Sequence, residues 1–99
     1  MTQVLELVRF RANGSADAFI AANAPVRDWL STQPGFLQRH LAQDAEGGWV
    51  DAVLWANHAD AKAAGERLMA EFGASAFMGM IEPEGLTMIH AEVRLAHNR

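Results

Sequence analysis

Cysteine is absent from the chain, and that one absence excludes disulfides, thiolate chemistry and Cys-ligated zinc together. Positive charge is also scarce. Eight Lys and Arg residues, of which only Lys62 is lysine, stand against twelve Asp and Glu, for a net charge of −4. A phosphate backbone needs a basic stripe, and these scattered cations make none, so nucleic acid is not an expected partner. No run approaches the ~18 apolar residues of a membrane span. Glu6 and Arg9 interrupt the only apolar stretch near the N-terminus, so no signal peptide is read there. The expectation is a cytoplasmic protein with neither a nucleic-acid nor a membrane partner. No internal repeat or low-complexity segment is present, and the Gly47-Gly48 pair is not a phosphate cradle because no helix follows it.

What is present is an Ala-rich chain of 99 residues with a hydrophobic share of 51%. This length suits a single domain over residues 1–99. A chain of this size hides only roughly 60–65% of its unfolded surface, so it gains much from self-association. The high apolar share therefore points to surface buried against a twin subunit, a homodimer.

Thr2–Arg11 is dense in aliphatic residues and ends at Ala12-Asn13-Gly14, which predicts a strand and a turn. Ser15 is placed to cap a helix with Asp17 in its first turn. Phe19, Ala22, Val26, Trp29 and Leu30 recur at helical spacing, and Pro25 inside that stripe predicts a kink or a restarted helix. Gln33-Pro34-Gly35 ends the element. Phe36–Gln43 and Trp49–Ala56 read as strands joined by a tight hairpin at residues 44–48. Asn57 with Asp60 marks the start of a second helix. Its inner face is Ala61, Ala64, Leu68 and Phe72, its outer face carries Lys62–Glu66 and Arg67–Glu71 pairs, and Gly73 closes it. Ser75–Ile81 reads as a short extra helix or turn. Glu82-Pro83-Glu84-Gly85 breaks the chain before a last strand, Leu86–Leu95.

The order β-α-β-β-α-β is the ferredoxin-like α+β pattern, an antiparallel sheet with both helices on one face. Alternation divides the third strand into a small apolar set, Val50, Ala52, Leu54 and Ala56, and a mixed set, Trp49, Asp51, Val53, Trp55 and Asn57. The last strand divides into Ile89, Ala91, Val93 and Leu95 against Met88, His90, Glu92 and Arg94. The small sets suit close helix packing. The mixed sets then form a face that must be covered by a second subunit, since apolar area left in water costs ~25 cal/mol per Å². The first strand (Val4, Glu6, Val8 and Phe10 against Leu5, Leu7, Arg9 and Arg11) and the second (His40 and Gln38 against Leu37, Arg39 and Leu41) fit either register.

Along its whole length the chain resembles the dimeric α/β-barrel proteins that include the antibiotic biosynthesis monooxygenases. The resemblance is carried by VLELVRFR, the Gln33-Pro34-Gly35-Phe36 step, WVDAVLWANHADAKAA, FMGMI and the closing IHAEVRL. It implies a homodimeric barrel binding a small hydrophobic or aromatic ligand, and oxidation of phenols or anthrones by molecular oxygen without a cofactor. Trp55 matches a tryptophan seen on the corresponding strand of several members, whereas Asp51 stands where asparagine is the more familiar partner. Haem-degrading relatives usually carry an asparagine on the first strand. None lies between Thr2 and Arg11, so haem is not expected. The superfamily also holds muconolactone-type isomerases and stress-responsive proteins, and fold alone does not decide among them.

Such chemistry needs a base, a cation and an aromatic wall. His90 or His40 is the candidate base, each otherwise an interface histidine satisfied by a carboxylate. Arg94 is the candidate for stabilising an anion, or else pairs with Glu92 or Glu6. Trp55, Asp51, Trp49, Met88, Glu92, Phe77 and Met78 are candidates for the pocket lining, with Phe77 and Met78 as a lid or as packing at the barrel mouth. No short-range ligand spacing joins His40, His90 and Asp51 into a metal site. His58 reads as a solvated residue of a helix's first turn, His97 as tail, and Trp29 as core. Three readings follow: a cofactor-independent oxygenase, a non-catalytic ligand-binding or stress-related barrel, and an isomerase on the same scaffold.

Overall fold

A computed structural model describes residues 2–99. Strand β1 (Val4–Ala12) leads through Gly14 into helix α1 (Ala16–Ala22), whose N-terminus is capped by the Ser15 side chain accepting from the Ala18 N–H. Pro25 lies in the first turn of a separate helix, α2 (Ala24–Leu30), so the apolar stripe is divided between two short helices, as the proline predicts. Strands β2 (Phe36–Gln43) and β3 (Trp49–Trp55) form a hairpin. Helix α3 (His58–Phe72), the short helix α4 (Ala76–Met80) and strand β4 (Ile81–Glu92) complete the chain. The sheet is antiparallel throughout, in the order β2-β3-β1-β4.

Two local features set this geometry. Gly35 has a φ of +79°, and a Cβ there would collide with the Asp60 side chain, so the Pro34-Gly35 step lets the start of β2 lie against α3. On β4 the Pro83-Glu84-Gly85-Leu86 segment does not end the strand as expected. It forms a large bulge opposite Phe10, between the Arg9–Thr87 and Arg11–Glu82 pairs, with Gly85 at a φ of +80°. Pro83 is tolerated because the bulge asks no ladder hydrogen bond of it. The strand consequently starts at Ile81 and ends at Glu92, short of Leu95.

All the helices pack on one face, but the sheet presents that face the other way round from the reading of strand alternation. Trp49, Val53 and Trp55 are buried beneath the helices with Phe10, Phe19, Val26, Leu30, Ala61, Ala64 and Phe77. The helix stripes need large partners, and Phe19 supplies the reason. Its ring lies 4.9 Å from Trp49 and 5.5 Å from Phe77 between centroids, filling a volume that Val50, Ala52 and Leu54 could not. The small set thus lies on the open face with Leu5, Leu7, His40, Ile89 and Ala91. The expected Lys62–Glu66 and Arg67–Glu71 ion pairs are not among the salt bridges of the described residues. Arg67 Nε instead donates to Gln33 Oε1 at 2.8 Å.

Candidate functional site

The inverted faces bring the mixed polar set between the sheet and α3. Glu6 stands on β1, the strand flanked by both β3 and β4, directly opposite His90 on β4 and diagonal to Trp55 on β3. Its Oε2 lies 2.8 Å from His90 Nε2, and its Oε1 accepts from Trp55 Nε1 at 3.3 Å. A carboxylate only accepts, so in the neutral imidazole of His90 Nε2 carries the hydrogen and Nδ1 keeps the lone pair. Trp55 itself is only 2% exposed and offers its N–H, not an open ring face.

Helix α3 closes over this pair. Asn57 caps it by accepting from the Asp60 N–H at 2.8 Å, while the Asn57 amide donates back to Asp60 Oδ2 at 2.9 Å. That start holds His58 edge-on to His90, with ring centroids 5.4 Å apart at 84°. The result is an open cleft of about 660 Å³ lined by Glu6, His58, Ala61, Lys62, Gly65, Glu66, Met69, Met88 and His90. Ala61 and Gly65 are one helical turn apart and leave room for a flat molecule, since a Cβ at Gly65 would meet nothing within 4 Å. Half-exposed Met69 and Met88 form adaptable apolar walls. The arrangement offers one oriented proton acceptor beside an apolar slot.

The remaining candidates are dispersed. Asp51 is engaged by Arg39, whose Nε and Nη2 donate to its two oxygens at 3.0 and 2.8 Å. Trp49 and Phe77 belong to the core, and half-buried Met78 packs against it. His40 is exposed on the opposite face, opposite Ala52 on the far edge strand, so the structure does not bring it near His90. Arg94 lies past the end of β4, 87% exposed and 4.0 Å from Glu92, which is itself exposed. No group of three or more His, Cys, Asp or Glu side chains with metal-holding geometry occurs among the described residues. Glu6 escaped the sequence reading as a site residue because β1 alternates acceptably in either register. His58 could have been suspected from its position right after the N-cap at the end of β3.

No protein-family model matches the sequence, and none of the curated proteins does. Solved structures do. A variant of SnoaB, a cofactor-independent oxygenase from Streptomyces nogalater, is similar at 20% identity, with 95% of each chain covered and a TM-score of 0.72. A dimeric ferredoxin-like protein from an uncultured marine organism is similar at 12% identity, over 100% of this chain and 94% of that one, with a TM-score of 0.74. The haem-degrading MhuD of Mycobacterium tuberculosis is similar at 20% identity, over 96% of this chain and 99% of that one, with a TM-score of 0.73. The chain therefore has a ferredoxin-like fold, the architecture that its strand and helix order implies.

Proposed function

We propose that the chain is a homodimeric, cofactor-independent oxygenase acting on a small, electron-rich aromatic compound. The observation that carries this reading is the Glu6–His90 pair, 2.8 Å apart and facing the cleft beneath α3. Glu6 orients the imidazole so that Nδ1 is free to take a proton from a bound phenol or from the acidic CH2 of an anthrone-like ring. The resulting carbanion or phenolate is the reductant of molecular oxygen. For a CH2 group the balance is one O2 consumed, one carbonyl formed and one water released. The flat Ala61–Gly65 surface and the two methionines would hold the ring; the Trp55 N–H helps fix Glu6 in place. The similarity to SnoaB supports this chemistry, and the similarity to a dimeric ferredoxin-like protein supports the homodimer.

Oxygen-electrode recordings with anthrone and substituted hydroquinones test the reading. Uptake is expected with at least one of them, and His90→Ala should lower kcat by on the order of 10²-fold or more, with circular dichroism unchanged. Undiminished uptake in His90→Ala would remove the mechanism. A second reading, ligand binding without turnover, is favoured by the burial of Trp55, which leaves no aromatic face for a substrate to stack on. Stabilisation by an aromatic ligand with no oxygen consumed and no product formed would select it.

A further inference from the structure

We propose that a second cleft, between the α1–α2 pair and the edge of β2, is a binding site for a small amphipathic carboxylate. This cleft encloses about 420 Å³, room for a bicyclic aromatic acid or a short-chain one. Its walls include Ile20, Leu30, Phe36 and Leu41, and its charged lining residues are Arg27 and Arg39, with no acid among them. It shares no lining residue with the Glu6–His90 cleft, which lies toward the opposite edge of the sheet.

Arg39 gives the site its chemistry. Two of its nitrogens are committed. Nε and Nη2 hold Asp51, and Nη2 also donates to Asn23 Oδ1 at 2.8 Å, where Asn23 is itself buried and donates to the Phe19 carbonyl at 2.9 Å. Nη1 has no hydrogen-bond partner among the described residues. No enclosed side-chain nitrogen or oxygen lacks a partner there, so Nη1 reaches solvent although the side chain as a whole is only 11% exposed. A guanidinium clamped on two sides presents its remaining N–H donors in a fixed direction, so little ordering cost is left for a ligand carboxylate to meet. Arg27 adds a second positive charge at the mouth, weakened by its exposed pairing with Asp28. Half-exposed Ile20 is the apolar surface that the body of the ligand would cover.

Titration of the 15N-labelled protein with 2-naphthoate, and in parallel with the uncharged 2-naphthamide, tests the proposal. Naphthoate is expected to shift the amides of Ile20, Ser31 and Gln38 and to bind about tenfold more tightly than the amide. Arg39→Gln should weaken naphthoate by a similar factor. Loss of Arg39 also leaves Asp51 without its cation, so Ile20→Glu, at an exposed position, serves as the variant expected to fold normally and still bind naphthoate several-fold more weakly. Shifts gathered at Gly65 and Met88, equal affinity for acid and amide, or unchanged naphthoate binding in Ile20→Glu would each overturn it. So would the absence of any binding at millimolar naphthoate.

Discussion

The two oxygens of Glu6 accept from two different rings, and each ring would lose something different if one oxygen became an amide. In Glu6→Gln the side chain keeps one acceptor and gains an NH2. If the NH2 meets His90, Nε2 must become the acceptor, and the proton moves to Nδ1, the nitrogen proposed as the base. If it turns toward Trp55, two donors face each other. The first outcome is expected to lower kcat by on the order of 10²-fold with little change in KM, read from oxygen uptake against substrate concentration, whereas the second keeps the tautomer and loses the Trp55 bond. A Glu6→Gln protein with wild-type kcat and the His90 proton on Nδ1 by 15N NMR would show that the tautomer is immaterial. Asp44, in the β2–β3 hairpin and far simpler in its role, gives a pH dependence. The backbone N–H groups of Gly48 and then Glu46 donate to its carboxylate and hold its pKa below the usual aspartate range. A lowered folded-state pKa contributes stability that is present above the unfolded value and is lost as pH falls through the folded one. The melting temperature should therefore fall on acidification below the ordinary aspartate range. Asp44→Asn should flatten that part of the curve, and an unchanged acid slope in the variant would assign it to other carboxylates.

Among the elements, α3 is the one whose position decides the site, and its start rests on a reciprocal cap between Asn57 and Asp60. Asn57→Ala should destabilise the protein by about 1 kcal/mol, and by no more than about 2. The first turn carries His58, so the variant should also loosen the packing of His58 on His90, visible as a change in the His90 ring proton shifts. A Tm equal to wild type would mean that tertiary packing alone fixes the helix. This cap was legible in the sequence, as were Ser15, the Pro25 restart and the bounds of β2, because each depends on residues close together in the chain. The orientation of the sheet was not. Both alternating sets of β3 contain apolar residues, and what decides between them is the fit of Phe19 against Trp49 and Phe77, contacts between residues far apart in sequence. Asp51 misled for the same reason. Its charge looks wrong for a face beneath helices until Arg39, itself held by Asn23 Oδ1, is seen to answer it. Glu82–Gly85 read as a break because a bulge and a chain end use the same Pro and Gly residues.

For the whole molecule, the folded surface argues for a second copy. A compact monomer of 10.8 kDa is expected to expose about 5,500 Å², whereas this chain exposes 6559 Å². The excess of roughly 1,000 Å² includes the extended tail after β4, but it is also close to the ~800 Å² per partner of a standard interface. The open sheet face contributes to it directly: Leu5 is exposed, Ile89 is 55% exposed, and Leu7, Ala52 and Leu54 adjoin them on β1 and β3. Alternation assigns Ala52, Leu54 and Ile89 to the helices and leaves Leu5 and Leu7 undecided, so the argument for a covered face survives while the residues that form it change. Ile89→Glu introduces a charge on the β4 side of that face without touching the core or the Glu6–His90 cleft. It should convert a dimer into a monomer by native mass spectrometry or light scattering and abolish any dependence of Tm on protein concentration. Glu at this position would be solvated in a monomer, so the isolated fold should persist, with secondary structure unchanged by circular dichroism. A variant that stays dimeric would place the interface elsewhere. A wild-type protein that is monomeric at ~100 μM, well above the Kd of an interface this size, would mean that the open face is left to water.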